Sequence, residues 1–245
     1  MCCVPICHCS SMVKPPPPPS QKDTIAELLG SARRSAVPLR YTFAQQRGEG
    51  KERVAGPLAS IVRRGVSSAL EQYLLFHARA AGRPDDDSGE MQFDVCLESR
   101  VWARALGLAE DESGQRTVQR NWQALSDLHL VQAARDGRLL RVTLLHEDGS
   151  GAPYTHPGET RDTPYLQLPY DYWLAGHADE LKLPGKAILL IAMTLADWFS
   201  LPFAKGPTWY GIGSSTVERG LRELRRADLL EAHLTWKKAP LSGLA

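Results

Sequence analysis

Cysteine is almost missing beyond residue 9. Cys2, Cys3, Cys7 and Cys9 crowd the start of the chain, and only Cys96 follows. One thiol cannot build an intramolecular framework, so a reducing cytoplasm is the expected compartment, with Cys96 filling core space. The leading cluster, with His8 inside it, holds soft ligands. It lacks the paired, separated knuckles of a structural zinc site, however, and soon runs into the prolines of 15–19. Residues 1–20 are therefore expected to be a disordered Cys/Pro-rich leader ending in a polyproline II spacer, with no metal. They have neither the basic start nor the apolar centre of a secretory signal.

Long apolar runs are missing too. The longest, 187–196, is broken by Thr194 and is far too short for a bilayer span, so no membrane is expected. Charge of one sign is also scarce: 29 lysines and arginines face 28 aspartates and glutamates, a net +1. Without a global basic field, any nucleic-acid affinity has to reside in local clusters. Catalytic constellations are absent as well. Gly206, Gly211 and Gly213 lack the lysine and serine of a phosphate loop, and no Gly-x-Ser-x-Gly elbow occurs. The seven histidines are scattered, none in an HExxH helix or a deaminase pattern. His146-Glu147-Asp148 reads as a solvated turn beside Gly149. A binding protein without cofactor or catalytic residues is expected rather than an enzyme.

What is present begins with 210–230. Val217, Leu221 and Leu224 recur at helical spacing and form one apolar stripe, while Ser215, Arg219, Arg222 and Arg226 follow the same period on the opposite face. Ser214 or Ser215 is expected to cap the helix. A second copy lies upstream. Thr117, Val118 and Arg120 match Thr216, Val217 and Arg219 at an offset of 216 − 117 = 99, which also brings Trp122 onto Leu221 and Leu125 onto Leu224. Repetition at domain length predicts two related modules. With 43% hydrophobic and 23% charged residues over 245 positions, the chain has material for two small cores.

Taken in order, 23–30 predicts a short helix, 39–43 a strand and 45–55 a loop. Ser67 or Ser68 starts a helix through Leu70, Tyr73, Leu74 and His77, and 91–95 alternates as a strand. A helix over 97–106 and a turn over 109–114 precede the helix at Arg116. Strands over 130–134 and 139–145 then meet across Asp136-Gly137, a strong hairpin signal. Helix, strand, helix, turn, helix, hairpin is the order of a winged helix. The second module opens with a strand at 165–169. It continues with an apolar helix over 185–199, a very short helix from Lys205 through Tyr210, and the helix of 210–230, with a wing strand over 230–236. The fold class expected is mostly α with small β-hairpins (α+β), as two tandem winged helix-turn-helix domains. Their bounds are 1–20 leader, 21–55 basic arm and loop, 56–146 first domain, 147–163 linker and 164–245 second domain with a short or truncated wing.

Such a pair suits duplex DNA. Arg219 and Arg222 are the expected base readers, since arginine can donate two bonds to guanine in a major groove about 12 Å wide. Ser215 and Thr216 are expected at phosphates or base edges, and Arg225, Arg226, Lys237 and Lys238 at phosphates. In the first copy Arg116, Thr117, Arg120 and Gln123 occupy the matching face beside Asn121, and Arg135 and Arg138, with Arg141 behind them, stand at the wing tip. Asp127 replaces Arg226, so the second module is expected to bind more tightly, or the first to serve partly in dimerisation.

The arrangement resembles the tandem winged-helix architecture of Rep-type plasmid replication initiators and related actinobacterial helix-turn-helix proteins, from residue 56 to the end. Arg116-Thr117-Val118-Gln119-Arg120 and Ser215-Thr216-Val217-Glu218-Arg219-Gly220-Leu221 carry it, each followed by a Leu-rich exit. The short second wing and the low net charge depart from that pattern. The resemblance implies sequence-specific double-stranded DNA binding at an origin or operator of a plasmid or other mobile element, in nucleoid-associated cytoplasm. Alternatives are a helix-turn-helix transcriptional regulator and a winged-helix protein–protein interaction module. Duplex DNA is the expected partner, with a homodimer considered beside it.

Overall fold

Helix α3, Ser67–Ala80, buries eleven of its fourteen residues, so it is wetted on no side and its polar members have to be answered from within. The computed structural model describes residues 18–31, 34–48, 52–81, 93–158 and 163–233. Of these, 49% are helical and 17% lie in strands. Helices therefore supply the core, and small antiparallel sheets tie its parts together.

Before α3 come α1 (Gln21–Gly30), β1 (Ala36–Arg40), the hairpin β2 (Gln45–Arg47) and β3 (Arg53–Ala55), and α2 (Pro57–Arg64). Ser20 and Asp23 cap the start of α1 reciprocally, and Ile25, Leu28 and Leu29 turn inward. After α3, β4 (Asp94–Leu97), α4 (Ser99–Ala105) and α5 (Glu112–Ser126) lead into β5 (Val131–Asp136) and β6 (Leu139–Leu144). β4 joins that hairpin on the β6 side, giving the order β4-β6-β5. Then follow β7 (Tyr165–Pro169), α6 (Asp171–Leu174), α7 (His177–Glu180), α8 (Leu183–Ala192), α9 (Gly206–Tyr210) and α10 (Ser214–Arg226). β7 pairs antiparallel with β1, Val37 opposite Leu168 and Leu39 opposite Leu166. One cluster of buried apolar side chains runs from Ile25 to Leu224.

Several expectations are corrected. In segment 21–55 the expected helix forms as α1, but the strand lies at Ala36–Arg40 rather than 39–43 and the expected loop over 45–55 carries β2 and β3; Val37, Leu39 and Phe43 are as buried as any core residue. Within the linker expected over 147–163, the described part 147–158 is anchored, since Glu147 is fully buried and Tyr154 nearly so. The helix expected to reach Phe199 stops at Ala192. There the Thr194 hydroxyl donates to the Ile191 carbonyl at 2.7 Å, and Trp198, at φ 60°, stands 80% exposed. Cys96 is half-buried on β4 rather than core filler. No strand forms over 230–233. The cysteines of the leader, Trp236, Lys237 and Lys238 lie outside the described residues.

Two buried ionic clusters flank α3. In the first, Arg40 Nη1 meets Glu147 Oε2 at 2.5 Å, both side chains nearly inaccessible, and Arg40 Nη2 donates to the Thr155 carbonyl (2.6 Å) and hydroxyl (2.9 Å). His77 of α3 completes it at 3.4 Å from Glu147 Oε1. In the second, Glu71 of α3 accepts from Lys186 of α8 at 2.6 Å, from the Tyr172 hydroxyl at 3.1 Å and from the Trp173 indole.

Burial alone would raise the Glu147 carboxyl, but the hydrogen bond and charge of His77 and the charge of Arg40 outweigh it and hold it below its ordinary value. A carboxylate depressed in the folded state contributes stability above its unfolded value and loses it as pH falls through the folded one. Unfolding free energy is thus expected to drop on acidification below about pH 4, and Glu147→Gln to flatten that limb. At neutral pH, Arg40→Met strands the carboxylate and is expected to cost about 3–5 kcal/mol in urea titrations.

Candidate nucleic-acid interface

Helix α5 starts at Asp111, whose carboxylate accepts from the amides of Ser113 (2.9 Å) and Gly114 (3.1 Å). Those bonds, Gly114's foremost, hold the Asp111 carboxyl below its ordinary value. Val118, Trp122 and Leu125 form the buried underside, with Trp122 edge-on to Phe76 and Trp102. Asn121, also buried, donates to Gln72 Oε1 of α3 at 2.8 Å and accepts from the Ser68 hydroxyl at 3.1 Å. Gln72 in turn donates to the Val118 carbonyl at 3.3 Å, so a polar key sets the rotation of α5 on α3. Arg116, Gln119, Arg120 and Gln123 are exposed on the outer face and line a shallow depression of about 500 Å³. A second groove, about 610 Å³, runs between the later turns of α5 and the β5–β6 hairpin.

Helix α10 is docked by contact instead. Its underside is Val217, Gly220, Leu221 and Leu224. A Cβ on Gly220 would lie 2.4 Å from Ile188 Cγ1 and 2.5 Å from the Pro184 carbonyl oxygen, so only glycine lets α10 approach α8 this closely. Glu223 locks the pair: its Oε2 accepts from the amides of Lys182 and Gly185, each at 3.1 Å, at the start of α8. The caps expected from Ser214 or Ser215 are not made. Gly213 is the N-cap and both serines fall inside the helix. Ser215, Arg219, Arg222, Arg225 and Arg226 are exposed, and Thr216 is half-buried.

The repeat extends to the backbone. Val118 and Val217, Asn121 and Gly220, Trp122 and Leu221, and Leu125 and Leu224 are all buried. Past the helices, His129 and Asp228 both take φ 53°, again at 228 − 129 = 99. The next amide folds back identically, Leu130 to the Leu125 carbonyl at 3.1 Å and Leu229 to the Leu224 carbonyl at 2.9 Å. Neither left-handed residue is glycine, which is why sequence patterning passes over this pair. The copies differ in where they begin. α10 starts at 214 and its counterpart is 214 − 99 = 115, whereas α5 already starts at 112, about one turn earlier.

The cations are not equally available. Arg116 pairs with Glu112 at 2.9 Å and Arg222 with Glu218 at 2.7 Å, both exposed contacts one turn apart. Such pairs contribute about 0.3–0.5 kcal/mol and exchange readily for a phosphate. Arg120 donates to the Thr117 hydroxyl at 3.0 Å and Arg219 to the Ser215 carbonyl at 3.3 Å. Neither they nor Arg225, Arg226, Arg135 and Arg138 meet a carboxylate among the described residues. Arg135 lies on β5 rather than in the turn, which Gly137 and Arg138 make. Arg141, in contrast, is clamped by Asp136 (2.6 Å) and Asp94 (2.5 Å), whose hydrogen bonds raise its proton affinity further and engage all three of its nitrogens. Gln123 is engaged too, donating to Asp127 Oδ1 at 2.9 Å. No helix among the described residues is long and apolar enough to cross a membrane. Comparison with protein families, with curated proteins and with solved structures finds no match for this chain.

Alanine forms helix better than glycine by about 1 kcal/mol, yet Gly220→Ala is expected to lower stability by about 1–3 kcal/mol in chemical denaturation, because the new methyl meets backbone. Gly30→Ala, at the end of α1 with nothing within 4 Å of its Cβ, serves as the control and should gain up to about 1 kcal/mol.

Proposed function

We propose that the protein binds double-stranded DNA sequence-specifically through α5 and α10, as two tandem winged helix-turn-helix modules in the manner of Rep-type replication initiators of plasmids or other mobile elements. The observation that carries this reading is α10. Arg219, Arg222, Arg225 and Arg226 stand exposed over a fully packed apolar underside, and only Arg222 has a carboxylate beside it. A helix of this width and charge suits a major groove, and its arginines can donate in pairs to guanine. The upstream elements support a first module: α3, β4, α4, α5 and the β5–β6 hairpin, with sheet order β4-β6-β5, are the parts in the order that a winged helix needs. α8, α9 and α10 are the corresponding three helices of the second.

On this reading Arg219 and Arg222 read bases, Ser215 and Thr216 lie at the groove edge, and Arg225 and Arg226 contact phosphates. Arg116, Thr117 and Arg120 do the same for the first module, flanked by Arg135 and Arg138 on its hairpin. Gln123 reads a base only by giving up Asp127, which makes the first module the weaker reader. No reaction is assigned to the protein, which acts as a binding protein at an origin or, with the same geometry, at an operator.

Fragments selected from the protein's own genome or plasmid decide between those two: enrichment at an origin means initiation, and enrichment at promoters means transcriptional control. Replacing Arg219 and Arg222 together by alanine is expected to cost about 1–3 kcal/mol per lost base contact in salt-controlled gel shifts and to relax sequence preference. The reading fails if the wild type retains no duplex at low salt while an acidic protein partner is captured through the same arginines.

A further inference from the structure

The hairpin β2–β3 and helix α2 lie between the two proposed modules and touch both. Gln45 Nε2 donates to the Trp209 carbonyl of α9 at 2.6 Å, and the Arg53 guanidinium sits 4.4 Å from the Trp209 ring centre. In the turn from α9 to α10, a Cβ on Gly211 would lie only 2.8 Å from Ala55 Cβ and 3.1 Å from Ala59 Cβ, so β3 and α2 press directly on that turn. Towards the first module, Gln46 Nε2 donates to the Asp148 carbonyl at 2.6 Å, and Arg64 reaches Asp127, just past α5, at 3.7 Å. The strip thus runs from the end of α5 to the entry of α10.

Its outer surface is cationic in a way that folding does not call for. Arg47 and Arg53 are directly opposed across the β2–β3 ladder, and both are exposed. Like charges facing each other across strands destabilise a hairpin. Arg53 is held on an aromatic face, which fixes its position and leaves its charge intact. Glu52, exposed next to it, forms no ion pair among the described residues. Arg63, exposed on α2, donates to the Ser60 hydroxyl at 3.1 Å and meets no carboxylate among the described residues. Opposed, exposed cations that pair with no carboxylate among the described residues mark a surface completed by an external anion.

We infer that Arg47, Arg53 and Arg63 form a third contact surface, which grips the phosphates of the duplex between the two grooves entered by α5 and α10. This rests on the DNA-binding reading above and adds to it. The strip supplies affinity without sequence information, since phosphates look alike along any duplex. It also gives the chain local cationic surface that its net charge of +1 conceals.

The test is the salt dependence of binding to the best fragment from genomic selection, for the full-length wild type and for Arg47→Gln with Arg63→Gln. Neither residue packs in the core, and a thermal midpoint no lower than the wild type's confirms that the fold is kept. Each released phosphate contact changes the slope of log affinity against log salt by about 0.9, so the double variant should be shallower by about two units with the selected sequence motif unchanged. Adding Arg53→Lys, which keeps the charge, should leave the double variant's slope where it is. A wild type that binds steeply and a double variant with the same slope overturn this inference alone. A wild type that holds no duplex at any salt overturns the parent reading and this one together.

Discussion

Taking a charged group out of water is repaid only when partners meet it at good geometry, and this fold does so on both sides of one helix. Glu71 and His77, on α3, reach opposite neighbours: the first is answered by Lys186 on α8, the second by Glu147, which in turn holds Arg40 of β1. Five groups that would each be costly alone become a frame. Both arginine-bearing helices are positioned from it. Gln72, the residue between them on the same helix, keys α5 through Asn121. Lys186 belongs to the helix against which α10 is pressed by Gly220 and latched by Glu223. The ladder of β1 with β7 closes the arrangement by pairing residues more than a hundred positions apart.

The two copies of the arginine-bearing helix therefore reach their places by different chemistry. At the same repeat position α5 carries Asn121 and α10 carries Gly220. One is oriented by hydrogen bonds in a dry environment, the other by the absence of a side chain. Hydrogen bonds fix rotation, and close approach fixes distance. The outer faces diverge in step: α10 shows arginines, while α5 mixes arginine with amides and ends on Asp127, which binds Arg64 and Gln123.

Much of this was legible in the sequence, for a physical reason. Helices whose underside recurs every three to four residues announce themselves, as Val118, Trp122 and Leu125 and their counterparts do. The hairpin was legible through Gly137, which takes φ 59° in the turn it makes with Arg138, one position later than the Asp136-Gly137 pair suggested. What sequence concealed depends on distance along the chain. Arg40 looks like any basic residue of an arm, and Glu147 like any acid in a Gly- and Pro-rich turn. Only their meeting in the core, 107 positions apart, makes both structural. The β2–β3 hairpin was hidden likewise, because its glycines and charges read as loop, while its contacts with Trp209 and Asp148 come from far downstream. Trp198 misled in the other direction: an apolar context predicted helix and core, and the residue stands in solvent.

The ion pair between Glu71 and Lys186 has one more consequence. Because the helix keyed to α5 and the helix pressed against α10 are bolted to each other there, the interval between the two arginine faces is a dimension of the protein rather than of a tether. On the proposed reading the molecule works as a fixed gauge. A duplex with its two preferred patches moved apart by a few base pairs would have to over- or underwind to fit, and the energy of that distortion would fall on the nucleic acid.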